Sequence, residues 1–253
     1  MGTELQKSNW PLALVVGLPT LAVFELRWMF GTYQDFLRWQ LDRGVPSALF
    51  PLEGYLLLLV GALLGGRLAS GRGEALRTLG LAHSCRRGLA VGGLIGMPCV
   101  LLAALVSDGP SFPGVAAVSL VVAPVAFEAF FRGLLVAIPV RLGGKRFWST
   151  AVLAGLLFGT ISVPWESRLD WGRLWDFCVM TAEGTWLAWL VRCYGWNLWV
   201  TIGVIAVIRA PWTVFGGTNG AGGSMPWPDL GLGASFVLGT GMALRQRRKR
   251  SSS

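Results

Sequence analysis

Apolar residues along this chain fall into long blocks rather than amphipathic stripes. Runs of about 17–26 residues alternate with short polar connectors, the length an apolar helix needs to cross a bilayer. The blocks lie roughly at Trp10–Phe24, Pro46–Gly66, Gly88–Val106, Val115–Val140, Trp148–Pro164, Leu174–Val191, Asn197–Phe215 and Asp229–Leu244. This pattern predicts an all-α polytopic transmembrane bundle of about eight spans, forming one membrane domain over residues 1–253. The first block lacks a small-residue cleavage site and is followed by further spans, so it reads as an anchored helix rather than a cleaved leader. Residues 28–45, which mix Trp, Phe and Leu with Asp35, Arg38, Asp42 and Arg43, read as an interfacial connector.

Composition supports the same class. Hydrophobic residues make up 53% and charged residues 14% of the chain, where a soluble domain carries about 25% charge. Eight of the 13 tryptophans (Trp10, Trp28, Trp39, Trp148, Trp165, Trp171, Trp175 and Trp227) cluster at predicted span ends, as an interfacial belt does. Gly61, Gly65, Gly66, Gly92, Gly93 and Gly96 read as helix-packing residues. Pro124 is expected to kink or loosen the fourth span through its missing N–H.

The net charge of +9 invites a nucleic-acid reading, but the basic residues lie in connectors and tail. With eight spans and both termini in the cytoplasm, fifteen of the 22 basic residues fall inside and five outside. The positive-inside rule accounts for that bias, and no nucleic-acid partner is expected. The basic tail, 245–253, is an orientation signal and headgroup anchor to membrane lipids. Cys85, Cys99, Cys178 and Cys193 show no metal-ligand spacing and read as free thiols, mostly core or helix-facing. With His83 as the single histidine, neither a metal nor another cofactor is expected.

Candidate chemistry rests on the ionisable residues inside the spans. Glu128 and Arg132 are the only charges in the run Val115–Val140, and at a spacing of four they share a helix face. Glu183 and Arg209 occupy the sixth and seventh blocks. A charge at this depth costs about 2.5–3.5 kcal/mol on insertion scales, so such residues are paired and mark sites. Two acids and two bases from three helices can neutralise one another, either as a packing device or as a polar cavity.

The motif around them, Ala123-Pro-Val-Ala-Phe-Glu-Ala-Phe-Phe-Arg-Gly133, resembles the first motif of the CAAX protease and bacteriocin-processing family of intramembrane endopeptidases, usually Glu-Glu-x-x-x-Arg-Gly after Ala-Pro. Ala151 to Ser162 resembles the second, Phe-x-x-x-His, and Gly195-Trp-Asn-Leu-Trp resembles the lead-in to the third, His-x-x-x-Asn. Leu79-Gly-Leu-Ala82 is also similar to the family, and the resemblance covers roughly residues 79–209.

It implies an intramembrane peptidase in which a carboxylate polarises water while His and Asn groups stabilise an oxyanion. Glu128 and Arg132 fall on retained positions, but Phe127 takes the place of the first Glu. Ser162 takes the place of the first His, Ile205 (or Val204) that of the second, and Arg209 (or Ile208) that of the Asn.

The expectation is therefore a family scaffold without ordinary protease activity, holding a membrane-anchored peptide or protein partner around Glu128, Arg132, Glu183 and Arg209. One alternative is an active endopeptidase rearranged around Glu128, with help from Arg132, Ser162 or Glu183. Another is a small transporter or scaffold component, although no inverted repeat is visible. A Cys-based transpeptidase using Cys178 or Cys193 lacks an intramembrane His.

Overall fold

A computed structural model describes residues 10–29, 52–71, 73–106, 116–163, 171–214 and 227–251. The described residues form an all-α membrane bundle. Its elements are α1 (Trp10–Met29), α2 (Leu52–Ser70), α3 (Ala75–Leu79), α4 (Cys85–Val106) and α5 (Ala116–Glu128). A π-helical segment (Ala129–Ala137) follows α5 without a break and continues into α6 (Ile138–Arg141). The remaining elements are α7 (Phe147–Ser162), α8 (Trp171–Cys193), α9 (Leu198–Val214) and α10 (Trp227–Ser251). Each predicted apolar block thus carries a helix. By length and composition three are apolar enough to cross a membrane: Leu52–Ser70, Cys85–Leu105 and Leu120–Arg141.

The last of these is the centre of the molecule. Inside the protein it is 83% buried, against 39% and 22% for the other two. A helix that is apolar all round can be enclosed on every side, and α1, α2, α3, α7, α8 and α9 all pack against its π segment. A second cluster, built on Ile95, Leu187, Leu190 and Val204, joins α4, α8, α9 and α10.

Small residues set how closely these helices approach. Between α4 and α9 the backbones nearly touch: a Cβ on Gly92 would collide with the Val200 carbonyl and come within 2.9 Å of Gly203 Cα. Gly96 faces Val207, whereas a Cβ on Gly93 would make only ordinary contact, at 3.9 Å. On α2, Gly61 faces Thr20 and Gly65 faces Leu134. With lipid on the outside no hydrophobic drive separates helices from solvent, so close backbone packing carries the association.

One end of the bundle is tied by polar contacts. The Arg141 guanidinium donates to the Arg77 and Thr78 carbonyls at 3.1 and 3.0 Å at the end of α3, where the Arg77 carbonyl also accepts from the Gly80 amide. The Leu198 amide donates to the Gly80 carbonyl at 3.2 Å, and the Trp199 indole to the Leu81 carbonyl at 2.9 Å. Gly80 closes α3 in the left-handed region, with φ 92°. The segments 75–84, 141–147 and 194–199 therefore meet at one end.

Several expectations change in detail. The helix stays α through Pro124 and widens only at Ala129, so the irregularity falls on the motif itself rather than ahead of it. The basic tail is not a separate extension: α10 runs on as helix to Ser251. Of the free cysteines only Cys193 is buried, while Cys85 and Cys178 are exposed and Cys99 is intermediate. The connector at 30–45 and the turns at 107–114 and 216–226 lie outside the described residues.

The α4–α9 contact gives a paired expectation. Gly92→Ala should lower the thermal stability of the detergent-solubilised protein, since overpacking against backbone costs about 1–3 kcal/mol. Gly93→Ala should be neutral or slightly stabilising in the same melting measurement.

Candidate functional site

Glu128 is the last α-helical residue of α5, and Arg132 lies in the π segment that follows. Both are essentially inaccessible, at 0% and 1% exposure. Arg132 Nη1 approaches Glu128 Oε1 to 3.0 Å, an ion pair within one helix. The angles at this contact do not make it a hydrogen bond. Both carboxylate oxygens and all three guanidinium nitrogens lack a hydrogen-bond partner among the described residues. That is an unusual accumulation, because buried polar atoms are nearly always satisfied. It marks the place where water or a ligand group would be held.

Aromatic faces supply part of what hydrogen bonds do not. The Arg132 guanidinium centre lies 4.6 Å from the Phe158 ring centroid and 5.9 Å from that of Phe131. A desolvated contact of this kind is worth about 2 kcal/mol. The motif glycine has a matching role, because a Cβ on Gly133 would press on Leu79, 3.0 Å from Cδ2. The Leu79-Gly-Leu-Ala segment thus plugs the bundle directly beneath Arg132-Gly133.

Glu183, buried on α8, and Arg209, on α9, complete the charged set. Arg209 is the strongest ionic neighbour of Glu183, as Arg132 is of Glu128, and all four groups act on one another. Thus three helical elements bring two acids and two bases together, with no net charge. Their mutual attraction offsets part of a desolvation penalty of several kcal/mol per ion. Among the described residues no group of three or more His, Cys, Asp or Glu is arranged to hold a metal ion.

Ser162 is less directly placed. It ends α7, half-buried, one turn beyond Phe158 and on the same helix face. The structure brings Phe158 onto Arg132 but draws no contact between Ser162 and the four charges. Ile205 and Val204 are both buried in the cluster shared by α4, α8, α9 and α10, among apolar side chains.

Three further residues belong to the site. Thr201, fully buried, donates to the Leu198 carbonyl at 3.1 Å and stands beside Glu128. Tyr55 meets Phe127 edge-on, with ring centroids 5.6 Å apart. Phe127 also packs on Phe131 and Phe158, at 6.1 and 6.2 Å. The Arg209 guanidinium centre then lies 5.3 Å from the Phe127 ring centroid. The one sequence signal for Thr201 was a hydroxyl in an otherwise apolar run; Tyr55 gave none, because its partner comes from another helix.

Because the pair is buried, its two members should not be equivalent to delete. Arg132→Met alone leaves a carboxylate uncompensated and should cost about 3–5 kcal/mol. The double variant Glu128→Gln/Arg132→Met should recover a clear part of that loss, read as melting temperature in detergent.

Residues 109–210 match the family model described as type II CAAX prenyl endopeptidase Rce1-like. This stretch contains Glu128, Arg132, Ser162, Glu183 and Arg209. No curated protein and no solved structure matches the chain. The matched segment is the central helix together with the helices that carry its charged partners, and over these residues the chain is similar to the endopeptidases that model describes.

Proposed function

We propose that this integral membrane protein of CAAX-protease type is catalytically impaired and uses its charged centre to hold a membrane-anchored peptide or protein partner. The observation that carries this reading is the contact between Phe127 and Arg209. Phe127 takes the place of the activating Glu of the family motif, and Arg209 (or Ile208) that of the oxyanion-stabilising Asn. Here Phe127 and Arg209 pack on each other as a ring and a cation, within an aromatic group completed by Tyr55, Phe131 and Phe158.

The kinetic consequence is large. A general base contributes on the order of 10²–10⁴-fold and one oxyanion donor about 10²–10³-fold. Phe127 supplies no base, and Ile205 or Val204 supplies no donor. What remains is a neutral but strongly dipolar pocket of two carboxylates and two guanidiniums, suited to binding polar groups that enter the membrane core.

A second reading keeps activity, with Glu128 as the base. It is favoured by the carboxylate oxygens that find no hydrogen-bond partner among the described residues, which leaves them available to a water. The two readings separate on cleavage. Co-expression with membrane-anchored peptides, prenylated CAAX substrates included, should give no product above the membrane background, while a bound peptide still crosslinks to the protein. Reproducible cleavage that disappears in Glu128→Gln would overturn the impaired reading in favour of the second.

The proposed topology has about eight spans with both termini in the cytoplasm. It is supported by the meeting of the basic segments 75–84 and 141–147 with the turn after Arg192 at one end of the bundle. A reporter fused after Ser253 should be fluorescent as a cytoplasmic protein and inactive as an exported phosphatase; the reverse pattern would reject this orientation.

A further inference from the structure

A groove of about 640 Å³ runs between α7, α8 and α10, away from the buried charges. Its walls include Trp148, Val152 and Leu156 on α7, Ala182 and Trp189 on α8, and Thr240 on α10. Trp148, Val152 and Leu156 follow one another at helical spacing, so the groove is a straight channel along the bundle wall. The eight helical steps from Trp148 to Leu156 and the twelve from Phe177 to Trp189 give it a depth of about 12–18 Å, close to one leaflet of a hydrocarbon core of about 30 Å.

Few polar groups lie along it, and of these the Thr181 hydroxyl is buried without a hydrogen-bond partner among the described residues while others are engaged. The Thr185 hydroxyl donates to the Thr181 carbonyl at 2.9 Å, and the Trp186 indole donates to the Thr240 hydroxyl at 3.2 Å. What the groove offers is therefore apolar surface. An apolar groove of this depth on the lipid-facing wall is suited to a hydrocarbon chain.

The mouth of the groove is charged. Trp148 is the second residue of α7, directly after Phe147 and Arg146, and Arg146 is exposed. Arg192, also exposed, lies one turn beyond Trp189, and its guanidinium centre is 4.6 Å from the Phe147 ring centroid. Two arginines thus rim the same end at which the indole rings enter the wall. This is also the end where the basic segments gather.

From this juxtaposition we propose that the groove between α7, α8 and α10 is a binding site for one acyl chain of an anionic phospholipid, whose headgroup sits at Arg146 and Arg192. The apolar wall selects the chain and the two guanidiniums select the headgroup charge. A basic residue near the surface is worth about 1 kcal/mol toward an anionic lipid, or about fivefold in affinity. The site does not depend on whether the buried charges at Glu128 are catalytic.

The test is lipid retention by the full-length protein, released from vesicles of phosphatidylcholine mixed with phosphatidylglycerol and weighed by native mass spectrometry. The expected result is retained phosphatidylglycerol, favoured over phosphatidylcholine by about fivefold for each arginine that contributes. Ala182→Trp, which fills the groove from an exposed position, should abolish retention. Arg192→Gln, which removes a rim charge together with its contact on the Phe147 ring, should lower the preference about fivefold. Equal retention of the two lipids, or a preference untouched by both substitutions, would overturn the proposal. So would displacement of the phospholipid by a prenylated peptide in a manner blocked by Ala182→Trp, since the groove would then belong to the substrate.

Discussion

Everything in the centre of this protein follows from one ion pair, Glu128 with Arg132, held where neither side chain reaches solvent. A lone charge at that depth would neutralise or drag water inward. The chain instead surrounds the pair with a second acid and base from neighbouring helices and with ring faces from Phe131 and Phe158. Those demands decide which helices pack on the central one. α8 brings Glu183, α9 brings Arg209 and Thr201, and α7 brings Phe158. Helix placement and charge compensation are the same constraint.

Hydrocarbon offers nothing to orphaned polar groups, so the backbone end of the bundle is solved with equal care. Arg141 takes the carbonyls of α3, and the turn after α8 takes those of residues 80 and 81. The basic residues there do two things at once. They mark one end electrostatically, and at least one of them is built into the structure that supports Gly133 from below through Leu79.

Much of this was legible in the sequence because the relevant physics is local. Apolar block length located the helices, and four ionisable residues in apolar runs identified the centre, since charge there has no inexpensive alternative. Gly92 and Gly96 announced a close crossing by residue size alone. What could not be read was set by neighbours distant in the chain. The contact between Phe127 and Arg209 spans two helices, as does that between Phe127 and Tyr55. The Arg141 clamp looked like one more orientation charge. Pro124 drew attention upstream, whereas the helix widens from Ala129 to Ala137, a segment whose one glycine, Gly133, reads equally well as a packing residue. The mixture of Cys exposures was equally hidden, because an apolar run does not say which side faces a neighbour.

The widened segment has a consequence for counting. Each hydrogen-bonded ring of a π turn encloses one residue more than that of an α turn, so Ala129–Ala137 accommodates chain that a regular helix of the same rise would not. The side chains beyond it, Ile138 to Arg141, are phased relative to Glu128 by that surplus. Arg141, which reaches the carbonyls of α3, lies beyond that surplus. The segment therefore works as a spacer that sets the rotational offset between the charged centre of the membrane and the clamp at its surface. The length of the motif, as much as its composition, is fixed by what lies at the far end of the same helix.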